Sequence, residues 1–169
     1  CANRVAGVME GEPSLTGPEA AKAREGADRG VRFAGVGLTY RGAGGASLSG
    51  ISFVAGPGQT VGVIGGTGSG KTSLVNLIPR FYDATQGAVE IGGVDVKDWP
   101  LDKLREKIGV VPQKAVLFQG TIRENLQWGK PGATEEELWQ ALETAQAADF
   151  VREKPRGLDS PVEQGGRNF

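Results

Sequence analysis

Gly65-Gly66-Thr67-Gly68-Ser69-Gly70-Lys71-Thr72 fits the phosphate-binding loop pattern G-x-x-x-x-G-K-[ST] at every fixed position. The residues on either side give the match its weight. Thr60-Val61-Gly62-Val63-Ile64 is short and β-branched, the pattern of a buried strand. Beyond the loop, Ser73-Leu74-Val75-Asn76-Leu77-Ile78 places Leu74, Leu77 and Ile78 at helical spacing. Strand, glycine loop and helix in that order is the context the motif needs.

The chemistry follows from that order. Gly65, Gly66, Gly68 and Gly70 lack a Cβ, so the backbone is free to take positive φ and approach a ligand closely. Thr67, Ser69 and Ser73 are expected nucleotide-binding positions as well. Successive N–H groups then converge on one concavity, where the helix start adds roughly half a positive charge. Lys71 is expected against the β- and γ-phosphates, and the Thr72 hydroxyl on a Mg²⁺ ion. Hydrogen bonds to a charged acceptor contribute about 1.5–3 kcal/mol each. Several together hold a nucleotide at micromolar concentration.

Composition narrows the rest. The 169 residues suffice for one domain with a core. Charge is balanced, 19 Lys plus Arg against 20 Asp plus Glu, so no basic surface marks a nucleic-acid partner. No long apolar run reads as a bilayer span, and no charged start followed by an apolar core reads as a secretory signal. Cys1 is the single cysteine and has no partner for an internal disulfide, which fits a reducing compartment. Histidine is absent, so any step needing an imidazole must take it from outside these residues.

Outward from the loop the chain changes character. Val5, Val8 and Met9 line one face of a short helix that Glu12-Pro13 would end. Ser14 to Gly30 is Gly, Ala, Pro and charge, the composition of a mobile linker. Val31–Tyr40 and Ser47–Val54 read as two strands joined by the turn Arg41-Gly42-Ala43-Gly44-Gly45. Ala88–Ile91 and Val94–Val96 flank Gly92-Gly93 as a hairpin. Asp98 is expected to cap a helix carrying Pro100 in its first turn and Leu101 and Leu104 on its apolar face. Ile108-Gly109-Val110-Val111 reads as a further buried strand stopped by Pro112. Two capping boxes follow: Thr121 with Glu124 opens a helix through Gln127, and Thr134 with Glu137 one through about Thr144. Ala147 to Glu153 forms a third, and no internal repeat is present.

Together these segments resemble the nucleotide-binding domain of ATP-binding cassette (ABC) transporters of the exporter type. The resemblance rests on Leu38-Thr39-Tyr40, the phosphate loop, Leu77-Ile78-Pro79-Arg80-Phe81-Tyr82-Asp83 and Ile108-Gly109-Val110-Val111-Pro112-Gln113. It continues through Leu117-Phe118-Gln119-Gly120-Thr121-Ile122-Arg123-Glu124-Asn125 and Val162-Glu163-Gln164-Gly165-Gly166-Arg167-Asn168-Phe169. A phosphate loop alone names only a superfamily; this combination, in the family's order, is specific. The implied fold is α/β: a P-loop NTPase core with an N-terminal antiparallel β subdomain and the start of a helical subdomain. Residues 1–30 match the connector from a transmembrane domain, and residues 31–169 the N-terminal part of the nucleotide-binding domain.

The resemblance also implies roles. Tyr40 matches the aromatic residue that stacks on adenine, a contact that contributes about 1–3 kcal/mol per base. Gln113 matches the glutamine that reaches the Mg²⁺ and the attacking water, so Lys71 and Gln113 are the expected catalytic residues and Thr72 and Gln113 the metal contacts. Residues near 114–128 match the surface that meets the membrane domain. Expected cofactors are ATP and Mg²⁺. Expected partners are a transmembrane domain upstream in the same polypeptide and a second ATPase domain, without nucleic acid. The expected place is the cytoplasmic face of the cell membrane.

The sequence departs from the family in four places. Gly66 stands where many exporters have proline, Lys114 where an acidic residue is usual, and Gln164 where glutamate is frequent. The fourth is the ending. The family continues with a Ser-Gly-Gly-Gln signature, an apolar strand ending in Asp-Glu, and a histidine, whereas the sequence stops at Phe169. The implied strand lies beside Val61–Ile64, so the segment alone is expected to leave strand backbone unpaired and to be marginal or aggregation-prone. Two other readings remain open: a degenerate subunit that binds ATP and regulates without hydrolysing it, and a soluble ABC-type ATPase acting on nucleic acid or the ribosome. The second needs basic patches or coiled-coil insertions that the sequence lacks.

Overall fold

The structure, a computed structural model, describes residues 15–18, 30–114 and 116–168. The helix expected over Val5, Val8 and Met9 and most of the linker expected to Gly30 lie outside the described residues. The chain divides into two units, Cys1–Gly109 and Val110–Phe169.

The first unit is built on an antiparallel sheet. Strands β1 (Val31–Leu38), β2 (Leu48–Ala55), β3 (Gln86–Ile91) and β4 (Val94–Asp95) lie in the order β2-β1-β3-β4. β1 is central, and its Phe33 pairs with Phe53 on one side and Val89 on the other. Phe33, Val36 and Leu38 point into the core while the rings of Phe33 and Phe53 stack at 4.6 Å. The β1–β3 register slips between Ala34 and Gly37, and Gly87 sits at that slip with φ 69°. A Cβ there would lie 2.3 Å from the Ala34 carbonyl oxygen, so the two strands approach as closely as they do only because the residue is glycine.

Helix α1 (Lys71–Leu77) closes on this sheet through Leu74 and Leu77, both buried in the same core. After β4 comes a 3₁₀ turn, Val96–Asp98, and then α2 (Leu101–Arg105), whose Leu104 is fully buried. Asp98 does not cap α2. The capping carboxylate is that of Asp95, which accepts from the Lys97 N–H and opens the 3₁₀ turn, and Pro100 holds the N-cap position of α2. The cause is steric: Pro100 forces the preceding Trp99 into an extended conformation (φ −96°, ψ 140°), so the helix starts after the proline.

Two expected strands are not formed. Val61–Ile64 makes no strand pairing, and its side chains are open to solvent, with Ile64 96% exposed. Ile108–Val111 is likewise unpaired, with Val111 95% exposed. A β-branched run becomes a strand only when a neighbour supplies the hydrogen-bond ladder, and none of the described strands lies beside either segment.

The second unit is helical, with one short antiparallel pair, β5 (Gly120–Thr121) against β6 (Pro161–Val162). Helices α3 (Ile122–Gln127), α4 (Glu135–Thr144) and α5 (Ala148–Arg152) bury Ile122, Leu138, Leu142 and Val151 together with Leu158 and Val162. Both expected capping boxes are present: Thr121 and Glu124 exchange hydrogen bonds at the start of α3, and Thr134 and Glu137 at the start of α4.

Candidate functional site: the glycine loop before α1

Gly68 (φ 79°) and Gly70 (φ 85°) take the left-handed conformation; Gly65 and Gly66 do not. The four glycines of the motif therefore serve different purposes. Gly70 is the N-cap of α1, and a Cβ on it would sit 2.7 Å from the Ser47 carbonyl oxygen and 2.8 Å from a Leu48 methyl. That close approach fixes the loop against the start of β2. Gly65 is needed for contact inside the loop, since a Cβ there would meet the Ser69 Oγ at 2.5 Å. At Gly66 a Cβ would meet nothing.

Lys71 folds back over this loop. Its ammonium donates to the carbonyl oxygens of Gly65 (2.7 Å) and Gly66 (2.6 Å) and to the Ser69 Oγ (3.3 Å). Ser69 N–H is bonded to the Gly66 carbonyl, but among the described residues nothing accepts from the N–H groups of Thr67, Gly68 or Gly70. Thr72, next along the helix, presents its side chain to solvent. The result is an exposed loop with unspent backbone donors, one ammonium held at its centre by neutral acceptors, and a hydroxyl beside it. An anion with several oxygens suits that donor set: it supplies acceptors to the open N–H groups and replaces neutral partners of Lys71 with charged ones.

Tyr40 is joined to the loop. It follows β1, and its hydroxyl donates to the Ser73 Oγ at 2.9 Å, so the phenol is tied to the first turn of α1, two residues beyond Lys71. The rings of Tyr40 and Tyr82 meet in a T-shaped contact, 4.9 Å between centroids and 86° between planes. The half-buried Tyr40 ring and the phosphate loop thus share one rigid base. The sequence does not single out Tyr82, because Tyr40 and Tyr82 come together only in the folded chain.

Gln113 lies in the second unit, in an irregular exposed segment. Among the described residues no group of three or more His, Cys, Asp or Glu is placed to hold a metal ion. No helix of the described residues is long and apolar enough to cross a membrane. Arg80, quoted for the resemblance alone, proves to be a buried structural centre (3% exposed), with φ 52° and its guanidinium held by Asp83. The signal for it in sequence is faint: an arginine between Pro79 and Phe81, where the helical pattern stops.

The chain is also similar to known proteins. The family profile described as ABC transporter matches residues 48–162. An uncharacterized ABC transporter ATP-binding protein of Mycobacterium bovis is 43% identical over 173 aligned positions, covering 100% of this chain and 29% of that protein. The ATP-dependent lipid A-core flippase of Thiobacillus denitrificans is 44% identical over 80% of this chain and 24% of its own length. A putative multidrug export ATP-binding/permease protein of Staphylococcus aureus is 45% identical over 64% of this chain and 19% of its own length. Among solved structures, a bacterial Atm1-family ABC exporter with ATP bound matches with a TM-score of 0.87 at 30% identity, covering 99% of this chain and 30% of that one. The chain thus spans less than a third of the length of the relatives it matches. With more than half of its residues under the family profile, and with the glycine loop, Lys71 and Tyr40 assembled as described, the chain belongs to the ABC transporter family.

Proposed function

We propose that these residues are the ATP-binding part of an ABC exporter, whose ATPase drives a substrate across a membrane. The observation that carries this is the loop itself: Lys71 held over Gly65, Gly66 and Ser69 beside open backbone donors, with Tyr40 fastened to the same helix. The printed names of the relatives, a lipid A-core flippase and a multidrug export protein, support the exporter class.

In this reading Gly65 to Ser73 receive the triphosphate of ATP, Lys71 meets the β- and γ-phosphates, and Tyr40 stacks on the base. Mg²⁺ would be held by the Thr72 hydroxyl, with Gln113 the further contact that the family resemblance implies. The ion would neutralise charge developing on the phosphates. Residues 1–30 are the connector from a transmembrane domain, and residues 31–169 the N-terminal part of the ATPase domain. A second ATPase domain pairs with it at the cytoplasmic face of the membrane.

Calorimetry on the full-length protein tests the reading. Mg-ATP is expected to bind at micromolar concentration. Lys71→Ala is expected to cost about 1.5–3 kcal/mol, roughly ten- to a hundredfold in affinity, and to abolish hydrolysis. Absence of ATP binding by the unaltered protein, or full hydrolysis in Lys71→Ala, would overturn it.

A further inference from the structure

Helix α1 has a second attachment, at the end opposite the phosphate loop. The chain leaves α1 through Pro79 and Arg80, and the backbone there is tightly bound. Arg80 N–H donates to the Leu77 carbonyl (3.2 Å) and Phe81 N–H to that of Asn76 (2.9 Å). Arg105 of α2 donates to the carbonyls of Pro79 (3.2 Å) and Arg80 (3.1 Å). The Arg80 guanidinium is enclosed, and Asp83 accepts from its Nε (2.7 Å) and Nη2 (3.2 Å), which fixes the plane of the fork. Two donors then face other parts of the chain. Nη1 reaches the Lys97 carbonyl (3.3 Å), and Nη2 the carbonyl of Thr16 (2.8 Å), a residue 64 positions away in sequence.

The Thr16 contact is no grazing one. The next residue, Gly17, lies so close that a Cβ on it would stand 3.0 Å from the Trp99 carbonyl oxygen and 3.5 Å from the Arg80 Nη1. A segment of no regular secondary structure, Leu15–Pro18, is therefore seated against Arg80 and Trp99 by a charge-assisted hydrogen bond and by a glycine-sized fit. Only arginine can make all these bonds at once. Lysine, with one nitrogen, cannot span Asp83 and two carbonyls that lie in different directions.

We propose that Arg80 is a latch that fastens the Leu15–Pro18 segment to the C-terminal end of the phosphate-loop helix, so that nucleotide state and connector position are coupled through α1. This rests on reading residues 1–30 as the connector. One residue joins the two parts: its side chain holds the connector, and its backbone N–H closes the helix whose other end carries Lys71 and Thr72. Seven residues of helix form a stiff rod of roughly 10 Å. Displacing either end therefore biases the other, and by linkage the coupling acts in both directions.

The test uses the full-length protein with every native cysteine, Cys1 included, replaced by serine, and one nitroxide on a cysteine introduced at the exposed Thr16. In the parent the label is expected to be motionally restricted, and its spectrum to change when Mg-ATP binds. Gly17→Val, which alters the connector side alone, is expected to free the label and abolish its response to ATP. By the same linkage ATP affinity should then shift from that of the parent, by about fivefold or more. Arg80→Lys should do the same from the other side. The proposal fails if the label stays restricted in Gly17→Val. It fails also if the parent's label ignores Mg-ATP while calorimetry shows the nucleotide bound, which leaves Arg80 a structural residue only. Failure of the parent to bind ATP overturns the function reading instead, and the seating of the segment is then judged by label mobility in Gly17→Val.

Discussion

At the scale of single residues, the motif's glycines are not equivalent, and the structure ranks them. Gly70 combines a positive φ with backbone and side-chain atoms of Ser47 and Leu48 where a Cβ would go. Gly68 has the positive φ but open space, and Gly66 has neither constraint. A non-glycine residue at such a φ is strained by about 1–3 kcal/mol, and an overpacked contact costs about as much again. Gly70→Ala is therefore expected to destabilise by about 2–6 kcal/mol and to take nucleotide affinity with it. Gly68→Ala should cost only the strain, and Gly66→Ala should be close to neutral in melting temperature. Thermal melts and ATP titrations of the three variants check the order. Equal losses at Gly66 and Gly70 would mean that the Ser47–Leu48 contact does not position the loop.

At the scale of elements, the second unit is organised by its helix starts and by Arg123. That guanidinium, in α3, bonds Asp159 at 2.8 Å and Glu135 of α4 at 3.2 Å, joining both helices to the turn before β6. The hydrogen bond from Arg123 holds the Asp159 carboxyl below the usual carboxylate range. Glu137 is held low by Lys130 and then by the Thr134 N–H of its own capping box. A depressed carboxylate stabilises the folded state above its unfolded-state value, and that contribution disappears as pH falls through the folded one. Acid should loosen this unit below about pH 4. Asp159→Asn is expected to flatten that pH dependence, read by circular dichroism melts at stepped pH, while 0.5 M salt weakens it in the unaltered chain, as exposed pairs require. An unchanged acid profile in Asp159→Asn would remove the pair from the account. These elements were legible in sequence because their causes are local: a capping box needs only residues three apart, and Thr121–Glu124 and Thr134–Glu137 stand where the pattern placed them. Pro100 misled because its effect falls on Trp99 before it. Arg80, Tyr82 and the Gly70–Ser47 contact were not legible, since each joins residues that only the tertiary fold brings together.

At the scale of the whole chain, the two expected strands that lack partners decide how the 169 residues behave alone. Val61-Gly62-Val63-Ile64 and Val110-Val111 are uncharged, rich in β-branched residues, unpaired and exposed. In water a backbone without a ladder hydrogen-bonds to solvent at little cost, but the apolar side chains gain nothing until another strand covers them. The first strand to arrive, at the concentrations of a purified sample, belongs to a second copy. That is the physics of an unprotected sheet edge, and a β-prone uncharged run is its most adhesive form. The 169-residue chain by itself is therefore expected to self-associate, and to melt without a single cooperative transition. Placing a charge on the exposed positions, as in Ile64→Lys with Val111→Lys, should slow association several-fold while leaving the packed sheet of β1 to β4 intact, because neither residue contributes to either core. Light scattering and calorimetry decide it. A monomer at about 100 µM with one sharp calorimetric transition would show that these segments are already satisfied. A double variant that associates as fast as the parent would place the adhesive surface elsewhere on the chain.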